Sequence, residues 1–381
     1  MKTDSDPEPN ASAGGSTLLP IVLVTLLGLS GAGVVATWGL VGMLSGESPV
    51  GDGRDPSSYG FDLSNVAVDP EAIIASGNPR DFLPALVSPE AIAGAEVASL
   101  NASNKRKWQK EVVSGDRVVG VRIGGSARAY PMFILDAHEV VLDEVGGVPI
   151  VLARSPLVDE VGVYERSLGA TLLDFGVSGL LDDLSVLLYT PDAEGMLVSG
   201  HDGRVIAGPR IGERLVPVSE VVISTWQDWL ARHPGTDVVL RDLDSLRRYR
   251  RVSYDRYLDG DDWILSPRRT PSGPLSPRRR VLSVRPAGTD GEWTILPLES
   301  IDAAMTPAGL DLSIGPGMLR LARPVGDSRN RVDVVEAEGL ELRFGFWQAS
   351  WVRDPDAAEA GLARGRAAID LAVGGGGDGG S

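Results

Sequence analysis

The chain of 381 residues contains no cysteine. This absence excludes disulfide bonds, zinc sites with thiolate ligands, iron–sulfur clusters and cysteine nucleophiles. Histidine is also scarce: there are three histidines, and aromatic residues make up 6% of the chain. Any imidazole chemistry is therefore confined to three positions, of which His138 has the most carboxylates beside it in the sequence.

The chain also lacks a balance of charge, with a formal net charge of −16. Such a molecule is repelled as a whole by nucleic acid and by anionic lipid. Its length and its 43% of hydrophobic residues are sufficient for two modest domains. The 47 glycines and 26 prolines favour a turn-rich globular protein over a long helical bundle.

Residues 17–44 carry no charged side chain and read TLLPIVLVTLLGLSGAGVVATWGLVGML. A helix of this length spans a hydrocarbon core of about 30 Å. The segment predicts an uncleaved, single-pass transmembrane anchor, with a signal peptide as the alternative. Residues 1–16 are predicted to be a disordered tail, and the bulk of the chain is expected on the extracytoplasmic side of the membrane.

The remainder predicts a mainly β protein of the α+β class. We expect a linker at residues 45–60 and a β-rich domain at 61–265. Helices are predicted from Ser88, where a Ser-Pro-Glu-Ala run offers an N-cap, and from Ser224 to Pro234. Another helix with a glycine-rich tail is expected at 356–381. The predicted strands are 117–123, 148–153, 161–164, 171–177, 185–189 and 205–207.

A weak internal repeat suggests a second, shorter β unit at residues 281–355. The proline- and arginine-rich segment 266–280 lies between the two units and is interpreted as an exposed linker rather than a phosphate-binding or nucleic-acid-binding patch. Three matches occur in the same order: Arg117-Val-Val-Gly-Val-Arg with Arg280-Val-Leu-Ser-Val-Arg, Leu152-Ala-Arg with Leu321-Ala-Arg, and Trp226-Gln, Arg232 and Pro234 with Trp347-Gln, Arg353 and Pro355.

His138, Glu139 and Asp143 are the candidate catalytic residues, because a histidine beside carboxylates can act as a general base. On a strand, His138 and Glu139 would point to opposite faces, whereas on a helix Glu139 and Asp143 would share one. His138 is also a weak candidate metal ligand, since no second histidine lies near it in sequence. These observations favour a structural, hydrogen-bonded His138 over a catalytic one.

Other chemistry-bearing residues have simpler interpretations. Ser178, in Phe175-Gly-Val-Ser-Gly, lacks the spacing of a hydrolase nucleophile and is interpreted as part of a tight turn. His201 begins a His-Asp-Gly-Arg turn between strands. Trp226 and Trp229 lie three residues apart and are predicted to pack in the core from one helix face.

Several blocks in order resemble the bacterial and archaeal family called domain of unknown function 3179. They include SARAYPMFILDAHEVVLDEVGGVPIVLARSPL, LLDFGVSGLLDDLSVLLY and TWQDWLARHPGTDVV, between about Val118 and Tyr257, and the later block Phe344-Gly-Phe-Trp-Gln-Ala-Ser-Trp. The resemblance implies an exported or membrane-attached protein. It implies no established activity.

The chain departs from the family pattern where that pattern has a Cys-Pro-Leu-Cys run. The two cysteine positions are Ser155 and Val158, and an asparagine position is Leu142. If the cysteines form the family's metal or redox centre, this chain has lost it, because valine has no donor atom and serine is a poor neutral ligand. The resemblance therefore implies a degenerate member.

We accordingly expect a membrane-anchored, extracytoplasmic binding or accessory protein that is non-catalytic. It would have no cofactor, and it would have a protein partner in the same membrane but no nucleic-acid partner. The alternative is a metal-dependent or acid–base enzyme centred on His138, Glu139 and Asp143. The sequence leaves the question of an enzymatic activity open.

Overall fold

The computed structural model describes residues 49–104, 110–192, 195–249, 252–273, 275–324 and 332–374. The predicted tail at 1–16 and anchor at 17–44 lie outside these residues. No helix within the described ranges is long and apolar enough to cross a bilayer.

The described residues form a mainly β structure. In chain order, the strands are β1 (Ile73–Ala75), β2 (Leu86–Val87), β3 (Ala91–Ala93), β4 (Arg117–Ile123), β5 (Ser126–Pro131), β6 (Val140–Val145), β7 (Val148–Ser155), β8 (Glu160–Glu165), β9 (Ser167–Leu168), β10 (Thr171–Leu172), β11 (Gly176–Asp182), β12 (Ser185–Tyr189), β13 (Leu197–Ser199), β14 (Val205–Ala207), β15 (Val221–Thr225), β16 (Asp237–Val239), β17 (Arg280–Pro286), β18 (Thr294–Pro297), β19 (Leu310–Ile314), β20 (Gly317–Ala322), β21 (Asp333–Glu338) and β22 (Leu340–Phe346).

The helices are short apart from the last one. They are α1 (Val97–Ser103), α2 (Met132–His138), α3 (Trp226–Arg232), α4 (Leu246–Tyr249), α5 (Asp255–Asp259), α6 (Leu298–Ala304), α7 (Trp347–Trp351) and α8 (Pro355–Gly374). The predictions of α3 and α8 are confirmed. The N-cap of α3 is Thr225, whose hydroxyl accepts a hydrogen bond from the Asp228 amide.

The short helix predicted from Ser88 is wrong. Ser88 has a left-handed φ of 47°, between β2 and β3. β2 pairs in parallel with β6, and β3 pairs antiparallel with β16. The local capping signal at Ser88 is therefore overridden by pairing with strands that are distant in sequence.

Sheet order explains the runs of consecutive apolar residues in the central strands, such as 140–142 and 150–153. The sheet β2-β6-β7-β8 has cores on both faces. Val140 and Leu142 face the sheet β1-β11-β12-β13-β14, whereas Val141 and Val145 face the sheet β15-β4-β5-β16-β3. Because successive side chains of a strand alternate between faces, a strand buried on both sides has no polar alternation.

Two sets of elements share one order. The first unit consists of β4, β5, α2, β6, β7, β8, β15 and α3, and the second unit consists of β17, β18, α6, β19, β20, β21, β22 and α7. In each unit, the first strand lies between the second strand and the last one. The registers also agree, since Val118 pairs with Pro131 in the first unit and Val281 pairs with Pro297 in the second.

The two units differ chiefly by an insertion. Their second hairpins have equal length, because Val141 pairs with Leu152 and Leu310 pairs with Leu321, each across a two-residue turn. In the first unit, β8 is followed by β9–β14 before β15 begins. In the second unit, only Gly339 separates β21 from β22. The inserted strands form most of the sheet that covers the outer face of β6 and β7.

The described residues from Val50 onward form one compact unit. Phe344 of the second unit packs against the cores of both units. Ser224 of β15 donates a hydrogen bond to Asp333 of β21 at 3.0 Å. The predicted domains 61–265 and 281–355 are therefore joined by an apolar and polar interface.

The predicted linkers pack against this body. Residues 56–59 form a 3-10 helix, and Tyr59 is fully buried with its hydroxyl on the Asn78 carbonyl, so the linker expected at 45–60 is wrong for its described second half. The segment 266–280 does connect the two units, but it is not freely exposed. Arg268 binds Asp69 at 2.7 Å, and Arg278 stacks on Tyr257 at 4.2 Å.

Candidate functional site

Helix α2 carries two of the predicted site residues into the protein interior. The helix begins after Pro131, which ends β5, and six of its seven residues are buried. It ends at Glu139, whose φ of 58° turns the chain sharply into β6. The segment 136–143 is thus neither all strand nor all helix, and the facing relations expected for either one do not apply.

His138 is hydrogen-bonded through both ring nitrogens. Its Nδ1 donates to the Pro84 carbonyl at 2.9 Å, so its Nε2 accepts from the Tyr249 hydroxyl at 2.8 Å. The same hydroxyl accepts from the Asp242 amide at 3.0 Å. Burial lowers the pKa of His138, which favours this neutral tautomer. Proton transfer or metal binding at His138 would require one of these bonds to break.

Asp143 has a separate set of partners. Both of its carboxylate oxygens lie 2.9 Å from the Arg128 Nη1, and the Tyr130 hydroxyl donates to one of them at 2.7 Å. Burial raises the pKa of Tyr130 well above its ordinary value, so this hydroxyl remains a donor. His138 and Asp143 share no hydrogen-bonding partner in the described part of the chain.

A buried ion network lies beside α2. The fully buried Arg154 at the end of β7 binds Asp136 through Nε at 2.8 Å and Asp159 through Nη1 at 2.9 Å. Asp159 also binds Arg117 at 3.2 Å and Arg280 at 2.8 Å, at the first residues of β4 and β17. Burial alone would raise the pKa of Asp159, but Arg117 and Arg154 hold it well below its usual range.

Glu139 borders this network without joining it. Burial raises the pKa of Glu139 to about 8, and the Asp136 carboxylate adds to the rise. Its side chain is therefore protonated at neutral pH. Among the described residues, no group makes a hydrogen bond to its carboxyl, and the Arg154 Nη2 is likewise buried without a partner. A neutral carboxylic acid beside an unused guanidinium nitrogen is the most unusual feature of the site.

A cleft of about 870 Å³ reaches the network at Asp136. Arg117, Phe133 and Tyr249 contribute to its walls. Burial raises the pKa of Asp136 despite the adjacent Arg154. A titratable group of perturbed pKa at the base of a cleft marks a candidate functional site.

The family model described as "Protein of unknown function (DUF3179)" matches residues 80–310. The chain belongs to this family. The match covers the whole first unit and ends at the first residue of β19, so the block Phe344–Trp351 lies beyond it. No curated protein and no solved structure matches the chain.

The two positions at which the DUF3179 pattern is expected to have cysteine lie at one turn beside the ion network. Ser155 ends β7, and Val158 ends the 3-10 helix that follows it; both are buried. The Ser155 hydroxyl accepts a hydrogen bond from the Val186 amide at 2.9 Å. This chain is a member without the cysteine pair. In the part of the chain that the structure describes, no three His, Asp or Glu side chains are grouped as a metal site.

Sequence reasoning missed Arg154 as the centre of the site. The signal was present in the repeat, because Leu152-Ala-Arg matches Leu321-Ala-Arg. In the structure, Arg323 binds Asp302 of α6 at 2.8 Å, as Arg154 binds Asp136 of α2. Asp136 and Asp302 are both the fifth residue of their helix, so an acid–base pair at equivalent positions could have been found from the repeat.

Proposed function

We propose that this protein is a membrane-anchored, extracytoplasmic binding or accessory protein that performs no catalysis at α2. The observation that supports this best is the repetition of the Asp136–Arg154 pair as Asp302–Arg323. At the positions equivalent to His138 and Glu139, the second unit has Ala304 and Met305. A pair that is present without those neighbours has a structural role, namely to tie the helix to the second hairpin.

We also infer that the two units are related copies. They agree in element order, in strand register, in hairpin turn length and in this ion pair. The hairpins of the two units differ so much in sequence that only a few equivalent residues are identical. The first unit would be the one that keeps the DUF3179 motif, and the second would be free to acquire another binding surface.

Residues 17–44 would supply the anchor, and a protein partner would lie in the same membrane. Nucleic acid is not the proposed partner, because the net charge is −16 and the basic segment 266–280 is used internally. Arg268 binds Asp69, and the Arg269 guanidinium donates to the Val352 carbonyl. These arginines are exposed, but their guanidinium groups are bound to groups of this same chain.

Metal binding by the full-length protein, purified in detergent, tests the non-catalytic assignment. Wild type and His138→Ala would be stripped of metal, incubated with zinc or copper and assayed for bound metal. We expect no stoichiometric binding that depends on His138. Tight, stoichiometric binding lost in His138→Ala would overturn the proposal.

A second candidate is an acid–base enzyme that uses Glu139. Its specific support is a carboxyl of pKa about 8, on a left-handed residue, near a cleft that reaches Asp136. Turnover of an ester, phosphate ester or glycoside by wild type, together with its loss in Glu139→Gln, would favour this candidate. Equal rates in both proteins would assign any turnover to another site or a contaminant.

A further inference from the structure

The first unit has a core aromatic residue at a position where the second unit has serine. In the first unit, Trp229 of α3 lies against Gly120 of β4 so closely that a Cβ at Gly120 would be 2.3 Å from the indole ring. The equivalent residues of the second unit are Ser350 of α7 and Ser283 of β17. Their hydroxyl oxygens face each other at 3.5 Å.

A cavity of about 350 Å³ occupies the corresponding region of the second unit. Ser283 and Ser350 line it together with Trp293, Arg285 and Arg343. The volume is equivalent to about twelve water molecules at about 30 Å³ each, which suits a small ligand. The first unit has a cavity of about 370 Å³ at the equivalent place, lined by Arg122, Val222 and Trp229. The two cavities therefore differ in their lining and not in their size.

Arginine dominates the wall of this cavity. Six arginines and four carboxylates line it. Three of the carboxylates, Asp290, Glu292 and Asp354, are exposed residues, so their charges are well solvated. The arginines are Arg204, Arg214, Arg285, Arg343, Arg353 and Arg364. Two of them have a carboxylate of their own, since Arg353 binds Asp182 at 3.3 Å and Arg364 binds Glu292 at 2.9 Å.

Four of these arginines share two carboxylates. Arg285 and Arg343 both bind Glu341, at 2.7 and 3.2 Å. Their guanidinium groups also lie over the Trp293 ring, at 4.5 and 4.3 Å from its centroid. Arg204 and Arg214 both bind Asp202, at 3.4 and 3.0 Å. Each of these two carboxylates, Glu341 and Asp202, therefore binds two guanidinium groups.

Arg343 is a change specific to the second unit, since its first-unit equivalent is Val222. The Arg285–Glu341 pair, in contrast, has the counterpart Arg122–Glu220, at 3.1 Å. Both units thus have this ion pair, and in the second unit Arg343 is a second arginine on its carboxylate. The Arg343 Nη1 also lies 3.3 Å from His201 Nε2, whose Nδ1 is bonded to Glu160 at 2.7 Å.

We propose that this cavity binds a small ligand that presents a phosphate group. Arg204 and Arg214 supply one pair of guanidinium groups, and Arg285 and Arg343 supply a second pair from the sheet. Together with two serine hydroxyls, these groups offer donors from several directions. Such a set suits the three acceptor oxygens of a phosphate better than the two of a carboxylate. The inference rests on the proposed binding function and gives it a ligand class.

Thermal unfolding of the full-length protein in detergent tests the proposal. Inorganic phosphate and a hexose phosphate would each be titrated at constant ionic strength, with chloride as the reference and succinate as the carboxylate probe. We expect a saturable rise in melting temperature with phosphate or its ester that exceeds the rise with succinate. No saturable phosphate effect, or an effect no larger than that of succinate, would overturn the proposal.

Two variants assign the effect to the cavity. The double substitution Ser283→Gly and Ser350→Trp introduces the first-unit pair. It removes both hydroxyl donors and narrows the cavity, so it should reduce the phosphate effect. Arg343→Ala should weaken phosphate binding by about tenfold or more. Arg320→Ala, which removes an exposed arginine of β20, is the matched control and should bind as wild type does.

The outcomes separate this proposal from the function on which it rests. If the double variant does not fold, as judged by circular dichroism, the comparison of Arg343→Ala with Arg320→Ala decides. Phosphate binding that is unchanged in Arg343→Ala places the ligand elsewhere and overturns the proposal. Failure here leaves the metal-binding test of the proposed function unaffected, since that test reads His138 and not the cavity.

Discussion

Arg154 has no contact with solvent, and its guanidinium joins α2 to the turn after β7 through Asp136 and Asp159. A buried charge that loses its partner is costly, because the remaining ion keeps its desolvation penalty. Arg323 makes the equivalent contact in the second unit, but its side chain is 54% exposed. The same type of ion pair is therefore buried in the first unit and much more exposed to solvent in the second.

We predict that Arg154→Met lowers the free energy of unfolding by about 3–5 kcal/mol. The matched substitution Arg323→Met should cost no more than about 1 kcal/mol, because an exposed ion pair is screened by water and salt. Urea unfolding followed by circular dichroism measures both values. Equal losses in the two variants would contradict the structural role that we assign to the buried network.

Glu139 makes stability depend on pH in a direction opposite to that of an ordinary ion-paired carboxylate. Its pKa is raised to about 8 in the folded protein, from 4.5. Between these values the native state holds a proton that the unfolded state has released, so stability is lost as pH rises through this window. The slope contributed by one such group is at most about 1.4 kcal/mol per pH unit.

We therefore predict that Glu139→Gln flattens the fall in stability between pH 5 and pH 8. The glutamine cannot ionise, so the variant should gain most relative to wild type at the upper end of the window. Urea unfolding at several pH values gives the difference, with Glu144→Gln as a control at an exposed neighbouring position. A difference between wild type and Glu139→Gln that stays constant with pH would contradict the prediction.

The candidate residues were recognisable from the sequence, but their separation was not. His138, Glu139 and Asp143 lie close in sequence, which suggested one site. In the structure, His138 is held by Pro84 and Tyr249, and Asp143 is held by Arg128 and Tyr130. All four partners lie outside residues 136–143. The change from helix to strand at Glu139 determines which partners each side chain meets. No periodicity rule predicts that change, because it depends on a left-handed residue other than glycine.

At the scale of elements, several predictions from local signals succeeded, although the capping signal at Ser88 did not predict a helix correctly. The strands at 117–123, 185–189 and 205–207 are confirmed, and so is the helix stopped by Pro234. The prediction for 171–177 was only partly correct, since the structure has β10 and then the longer β11. Ser178 lies in β11 beside a register shift with Gly179 at a φ of 79°, so the predicted tight turn is a strand irregularity.

The helix-on-strand contact of the first unit gives the next prediction. Gly120→Ala should destabilise the protein by about 1–3 kcal/mol, because its Cβ would meet the Trp229 ring and force the ring to shift. Ser283→Ala at the equivalent place in the second unit removes only a hydroxyl at the cavity wall, and it should cost less than about 1 kcal/mol. Thermal unfolding of the two variants tests the comparison.

An opposite order of the two losses would mean that the units do not differ in packing as described. An equal and small loss would indicate that the Trp229 ring shifts without cost. The substitution pair therefore tests the relation between the units independently of any ligand.

At the scale of the whole molecule, the repeat was visible as three short matches, and the structure extends it to registers and turns. The insertion β9–β14 obscured it, because it places β15 far from β8 in sequence while the second unit has a single residue in the same place. Sequence spacing could not indicate that both units belong to one body. That property depends on contacts such as Phe344 with both cores, which only the packed structure contains.

The proposed anchor predicts where the protein is found and what its removal changes. Residues 50–381 form a compact body of their own, and residues 17–44 carry no charge. We predict that the full-length chain stays in the membrane pellet after alkaline carbonate washing, because a long uncharged helix is held by the bilayer interior. A chain that begins at residue 49 should appear in the supernatant with an unchanged melting temperature.

A charge-matched control that replaces residues 17–44 with an equally long Gly/Ser segment should also be released. Retention of either of these two forms in the pellet would show that the body itself binds the membrane. Release of the full-length chain would contradict the anchor.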